Sequence, residues 1–494
     1  MFASWEGQPG QAPPRVAAAM VLNPDLAEKL RAHEDQGVRD GCNVLEGSGG
    51  AFDEERPRKC QDCVWAALFL GTVGFLLSMA SDPKVRVKFT ERHKYMDPFC
   101  VAIAVAVVSA IIFLRAAKTC TKPFVYMALL LGPTLQVIMG LALIVLFQDF
   151  VFKLVGAVCV FLGLAIGSCL MCCWASLIPF TVLVLQTVTG VIDAHYSMIF
   201  ISLLGCGLSF AWWLICAAAM VAVHLLHADR INQFRESVPA PEKAILFLSG
   251  FLVLWGAMVL SNACQVACCG VFGRWYFGKD NLPGAMPVMK STQAAFTTSF
   301  GSVCLGSLVV ALFQAAEMVA RQVRREAQED CNIVVCIIAL VMESILSCIG
   351  DIIEWFCSYA YVQCAVRGLG FFNAVRATYA LCTFSNITLI VSNSLVDCVV
   401  FFGGFLCGVF AGLAAYAKGG APWFGAAGFV LGFMTGASAL APLRSGALTL
   451  SVCWAENPGA LSTLRPQLHR RFCLTIAGRG QEAETEMQAP PNIS

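Results

Sequence analysis

The feature that most limits the folds open to this chain is where its charges fall. Asp, Glu, Lys and Arg are absent from residues 63–81, 98–114, 123–148, 154–192, 198–223, 244–271, 295–316, 398–417 and 419–443. A membrane-spanning helix needs about twenty mostly apolar residues, so each of these stretches can hold a span. Only segments that satisfy their own backbone groups cross lipid, which makes helices of them. Composition agrees. Hydrophobic residues make up 58% and charged residues 13% of the chain, with mean hydropathy +0.72, whereas a soluble globule is nearer half apolar and a quarter charged.

The stretch 154–192 is too long for one helix and contains Pro179. A fourth span therefore ends near Ile178, and residues 180–195 lie along the membrane surface or re-enter it. Residues 332–366 are apolar but interrupted by Glu343, Asp351 and Glu354, giving an eighth span that is polar on one face or broken. The last two stretches form a tight hairpin, because Lys418-Gly-Gly-Ala-Pro422 is turn chemistry. The expected fold class is an all-α polytopic transmembrane helix bundle of about ten spans. Residues 377–396 form a further apolar stretch, so hydropathy alone permits eleven or more.

The soluble parts are tails. Residues 1–59 lack the basic start and apolar core of a secretory signal, so the first span itself is expected to direct insertion. They are rich in Gly, Pro, Ala and charge and read as a disordered cytosolic tail. Residues 60–455 are expected to make one transmembrane domain and 456–494 a cytosolic C-terminal tail. Lys84, Arg86, Lys88, Arg92 and Lys94 offset Arg56, Arg58 and Lys59 across the first span, leaving orientation nearly undecided there. Arg465, Arg470, Arg471 and Arg479 favour a cytosolic C-terminus, and ten spans bring the N-terminus to the same side.

A net charge of +1 offers no basic field for nucleic acid. No P-loop, HExxH or GxSxG spacing appears, so neither an enzyme nor a cofactor or metal is expected. Most of the 25 Cys sit in apolar spans and read as small buried hydrophobes. Cys60-Gln-Asp-Cys63 has CxxC spacing, but no second pair or nearby His completes a zinc site. Two Asn-x-Ser/Thr matches, at Asn386 and Asn492, lie in an apolar segment and at a cytosolic end, and neither is expected to carry sugar.

Trp65, Trp174, Trp275, Tyr276 and Trp423 fall at span ends, as interfacial belt residues do. Trp212, Trp213 and Trp255 fall near span centres instead. There, ring faces can bind a small organic cation through cation–π attraction, and packing against neighbouring helices is the competing explanation. Acidic residues inside apolar stretches are costly and mark functional candidates. Glu317 is accounted for by Arg321 one turn on, and Asp351 and Glu354 suit an interfacial face. Glu343 and Asp397 remain as the charges that could oppose a bound cation or gate its path. Gly301 and Gly306, like Gly403, Gly404 and Gly408, permit close helix packing or movement.

Several motifs also fall in a recognisable order. Cys60-Gln-Asp62 opens the first span, and Trp275-Tyr-Phe-Gly-Lys-Asp-Asn-Leu-Pro283 closes the sixth. Next come Ser299-Phe-Gly-Ser-Val-Cys-Leu-Gly-Ser-Leu308, Tyr359-Ala-Tyr-Val-Gln-Cys-Ala-Val366, Asp397 before Cys398-Val-Val-Phe-Phe-Gly-Gly404, and Leu450-Ser-Val-Cys-Trp454. In this order they resemble the choline-transporter-like family of ten-span membrane proteins. The resemblance implies a bundle with both ends in the cytosol that moves choline, and in some members ethanolamine, across the plasma membrane or an internal membrane. It also implies transport independent of sodium and linked to proton exchange. The sequence departs from animal members in the short loop of residues 81–97, which has no glycosylation acceptor. The resulting expectation is a cation site between spans five, six and the later helices, with Trp212, Trp213 and Trp255 as ring faces and Asp397 or Glu343 as charge. Partners would be choline or a related cation and the lipid bilayer. The rival reading is a membrane scaffold or regulator of lipid metabolism that keeps the fold without transport. A membrane-embedded lipid enzyme is the third, and it lacks a motif.

Overall fold

A computed structural model describes residues 28–29, 31–33, 35–48, 51–52, 59–80, 96–234, 240–280, 286–329, 333–384 and 387–477. These residues are helical, with no strand among them. The first loop with its five basic residues, Asn386, Arg479 and Asn492 lie outside the described residues. The helices are α1 (Gln36–Gly47), α2 (Cys63–Ala80), α3 (Met96–Thr119), α4 (Thr121–Leu146), α5 (Phe150–Trp174), α6 (Ile178–Ala194), α7 (Ser197–Phe234) and α8 (Ala240–Tyr276). They continue with α9 (Pro287–Phe296), α10 (Phe300–Glu329), α11 (Ile333–Arg367), α12 (Phe371–Phe384), α13 (Ile387–Gly419), α14 (Pro422–Glu456), α15 (Pro458–Leu464) and α16 (Pro466–Ile476).

Among the described residues, 9 helices are long and apolar enough to cross a membrane. The 18 residues of α2 are short but sufficient for the hydrocarbon core at about 1.5 Å per residue. Together they give the expected all-α bundle of about ten spans. Several helices begin with proline in the first turn, including α6, α9, α14, α15 and α16. The missing N–H costs nothing there, because that position has no intrahelical acceptor. Glu343, Asp351 and Glu354 do not break α11, which runs unbroken through 35 residues. The apolar stretch 377–396 is no eleventh span, since it is divided between the end of α12 and the start of α13.

The chain forms two compact units. The first comprises Met1–Met96 and Phe200–Phe384. Here α2, α7, α8 and α10 pack through one apolar cluster that includes Phe69, Trp212, Trp255 and Cys304, and α10 and α11 form a hairpin. Residues 1–59 do not behave wholly as the expected disordered tail, because α1 docks on α12. Its Val38, Gly41, Cys42 and Leu45 are buried, and Gly41 comes so close to the Arg376 carbonyl that a Cβ would overlap it. The Tyr379 hydroxyl donates to Asp35 at 2.8 Å, and Arg367 donates to the Leu45 carbonyl at 3.0 Å and to the Ser48 hydroxyl at 2.6 Å. The apolar period of this 12-residue helix is short and sits among Gly and charge, which hid it from composition.

The second unit comprises Asp97–Ile199 and Ser385–Ser494. Its centre is the α13–α14 hairpin, which turns through Gly420 at φ +72°, a backbone state that only glycine adopts without cost. Gly428, Gly432 and Gly436 recur once per turn and meet Ala415, Ala411 and Cys407. Without side chains the helix backbones close in, and van der Waals packing replaces the hydrophobic drive that lipid cannot supply. Helix α6, the segment expected along the membrane surface or re-entering it, is covered by protein: Phe180 to Leu185, Val188, Thr189, Val191 and Ile192 are all buried, with Phe180 edge-on to Phe472 of α16 at 5.6 Å.

Candidate functional site

Trp212 and Trp255 meet in the first unit, near the middles of α7 and α8. They are 4% and 2% exposed, and each indole N–H finds a main-chain acceptor. Trp212 donates to the Val253 carbonyl at 3.2 Å and Trp255 to the Cys304 carbonyl at 3.0 Å. A buried indole without such a partner would be costly in lipid. Phe69 of α2 joins them, its ring centroid 5.6 Å from Trp212 and 5.4 Å from Trp255. Gly256 makes room, since a Cβ there would overlap the Trp212 ring. The result is an aromatic wall shared by α2, α7 and α8.

Trp213 does not belong to that wall. It is 54% exposed, because neighbours in a helix point about 100° apart and cannot face one partner together. Its indole is exposed, away from that cluster.

Glu343 is also elsewhere. Arg324 donates to it at 2.7 Å, Arg321 lies 3.0 Å from its other oxygen, and Arg321 also pairs with Glu317. Two acids and two bases thus cancel across the α10–α11 hairpin. Arg321 lies about 25 Å along α10 from Cys304, at about 1.5 Å per residue, so Glu343 is no counter-charge for the aromatic wall. Asp397 belongs to the second unit, where its Oδ1 lies 3.1 Å from Arg444 Nε. One turn away the Ser451 hydroxyl donates to Asn393 at 3.1 Å. The Asp397–Arg444 pair is about 33 Å along the two helices from the hairpin turn, at about 1.5 Å per residue.

Sequence reading missed three polar groups that the first unit gathers. Asn262 of α8 donates through Nδ2 to the Ser307 hydroxyl at 3.0 Å and to the Tyr361 hydroxyl at 3.3 Å. The two hydroxyls are 3.5 Å apart. Gly306 admits the Tyr361 hydroxyl, because a Cβ there would crowd it. Both Asn262 protons are used, and among the described residues its Oδ1 takes no hydrogen bond, leaving an acceptor inside a span. Asn262 lies two turns beyond Trp255 on the same face of α8. The available signal was an amide in an uncharged stretch, which is costly in lipid unless it serves something.

Gly301, the other predicted packing position, abuts the Gln61 and Asp62 carbonyls, where a Cβ would clash. Asp62, part of the motif that opens the first span, ties three segments together. Its Oδ2 accepts from the Ser302 hydroxyl at 2.7 Å and from the Phe371 N–H that opens α12 at 2.9 Å. Cys60 and Cys63, on either side, form a disulfide. Among the described residues no group of three potential ligands could hold a metal ion.

A family model described as plasma-membrane choline transporter matches residues 156–459. A CTL-like protein of Dictyostelium discoideum is 24% identical over 307 residues, covering 61% of this chain and 53% of that protein. Protein PNS1 of Yarrowia lipolytica is 26% identical over 402 residues, covering 76% and 69%, and Protein PNS1 of Kluyveromyces lactis 27% over 322 residues, covering 62% and 58%. The chain thus spans about half the length of the first of these relatives.

Proposed function

This chain belongs to the plasma-membrane choline transporter family, and we propose that it moves choline or a similar small organic cation, ethanolamine included, across a membrane. Sodium independence and proton exchange enter the proposal through the family resemblance, as do a plasma-membrane location and cytosolic termini. The observation that carries the site is the pairing of an aromatic wall with an unused acceptor on one face of α8. Quaternary ammonium has no N–H to donate, so ring faces suit it better than hydrogen-bond acceptors do. Its hydroxyl needs one acceptor, and Asn262 Oδ1 supports that role. We assign Trp212, Trp255 and Phe69 to the wall, and Asn262 with Ser307 and Tyr361 to the hydroxyl. Glu343 and Asp397 are assigned to helix pairing and Trp213 to the lipid face, while Gly301 and Gly306 set helix approach and the freedom of α10 to move.

The scaffold reading also has an observation in its favour. Phe69, Phe251 and Gly256 already cover the two indoles, and a chain that only packs would look the same there. Radiolabelled choline uptake in cells lacking their own choline transporters separates the two readings. Transport predicts saturable uptake that ethanolamine competes for, and the scaffold predicts none at equal surface abundance.

A further inference from the structure

We propose that Cys172 and Cys173 are S-acylation sites that take a long-chain fatty acyl group from an acyl-coenzyme A thioester at the inner membrane surface. The thiols that the family function leaves idle fall into two sets. Cys264, Cys268, Cys269, Cys304, Cys357 and Cys364 are among the buried ones, whereas Cys100, Cys120, Cys348 and Cys473 are exposed singly and Cys169, Cys172 and Cys173 are exposed together. These three are the last thiols before the end of α5, beside Trp174, a residue type that marks the boundary between lipid and headgroups. Thiols at the membrane edge are the usual acceptors of palmitoyl groups. Cys169 and Cys173 lie one turn apart with sulfurs in hydrogen-bond contact at 3.9 Å, and Cys172 stands exposed beside them.

The face beneath them fits the incoming chain. Along α5, Phe161 is 71% and Leu164 61% exposed, and both lie toward the bilayer interior from Cys172. An acyl chain leaving the sulfur can run back along this face for about 16 Å, at about 1.5 Å per residue, before passing Phe161. In the reaction the cysteine sulfur attacks the thioester carbonyl carbon. A new carbon–sulfur bond forms, the bond to coenzyme A breaks, and the cysteine proton ends on the coenzyme A thiol. No oxidant is needed.

The proposal rests on the cytosolic orientation proposed above, which places the end of α5 on the inner side, but not on transport. The test is metabolic labelling of cells expressing the full chain with an alkyne-bearing palmitate analogue, followed by neutral hydroxylamine, which cleaves thioesters. Wild-type protein is expected to carry hydroxylamine-sensitive label and to gain two mass tags on acyl exchange. Cys172→Ser/Cys173→Ser is expected to fall to the background of untransfected cells, and Cys473→Ser to match wild type. Because the double variant could fail to fold, mass spectrometry of the hydroxylamine-released wild-type peptide provides a second reading of the same two positions. Unlabelled wild-type protein, or label undiminished in a normally abundant double variant, overturns the proposal. So does labelling of these thiols by a membrane-impermeant maleimide in intact cells, which would overturn the orientation as well. Absence of choline uptake leaves the acylation result standing and counts only against the transport reading.

Discussion

The indole N–H of Trp255 donates to the main-chain carbonyl of Cys304 at 3.0 Å, so a side chain near the middle of α8 is fastened to the backbone of α10. That carbonyl has a second lone pair, and the bond therefore does not cost the helix its own ladder. The ring keeps Phe69 on its flank. Fastening and wall are separable by substitution. Trp255→Phe keeps a ring face and loses one hydrogen bond, and we expect uptake within about fivefold of wild type, since such a bond contributes about 1 kcal/mol net. Trp255→Ala removes the face, and we expect the apparent KM for choline to rise about tenfold, the scale of a desolvated cation–π contact. An unchanged KM in a normally abundant Trp255→Ala protein would remove this residue from the site.

Asn262 gives a sharper expectation, because its two protons are occupied by Ser307 and Tyr361. Asn262→Leu fills the volume and removes the acceptor. We expect KM for choline to rise about tenfold, while inhibition by tetramethylammonium, which has no hydroxyl, stays within about twofold; one hydrogen bond accounts for a difference of that size. Equal losses for both cations would mean that Asn262 shapes the helix rather than meeting the hydroxyl. Tyr361→Phe should show a smaller loss in the same direction.

Gly256 tests the packing that holds the wall. A Cβ there would overlap the Trp212 ring, and a tightly packed interior has no slack to absorb it. Gly256→Ala is expected to cost about 1 to 3 kcal/mol, the range for overpacking. The measurement is the thermal midpoint of detergent-solubilised protein, with a lower midpoint expected and an unchanged one contradicting the packing.

How much of this was visible in the sequence follows from which residues carried periodic or costly signals. The spans were legible because charge is excluded from lipid, and the α13–α14 turn because Gly420 and Pro422 are its chemistry. The Glu317–Arg321 pair was legible from i, i+4 spacing, and its contact is present. What sequence could not give was direction around a helix. Trp212 and Trp213 are adjacent, and only tertiary structure reveals which one faces Phe69. Charges distant in sequence were equally opaque, since nothing near Glu343 or Asp397 announces Arg324 or Arg444 as partners. Burial of α6 was hidden because an apolar helix reads alike on a membrane surface and inside a bundle.

The Asp397–Arg444 contact lends itself to a charge-reversal cycle. Removing one partner leaves the other charge uncompensated. Asp397→Arg and Arg444→Asp are each expected to reduce membrane abundance severalfold, and the exchanged pair to recover most of it. Non-recovery would show that the two residues act independently.

Docking of α1 carries a pH dependence. The Tyr379 hydroxyl and then the Gly37 N–H beside Asp35 hold its carboxyl below the usual range. A lowered folded value means that this contribution is fully present above the ordinary carboxylate range and is lost as pH falls through the folded value. Protease cleavage near residue 35 should therefore accelerate in acid, below about pH 4, and Tyr379→Phe should accelerate it at neutral pH. Cleavage indifferent to both would show that Asp35 does not hold α1 in place.

Transport of a choline-like cation is tested, without other transporters present, by the purified protein in proteoliposomes. With sodium absent on both sides, we expect saturable uptake of radiolabelled choline that unlabelled ethanolamine reduces and that Asn262→Leu shifts to higher concentration. Uptake no greater than in protein-free liposomes, from correctly folded protein, would contradict it.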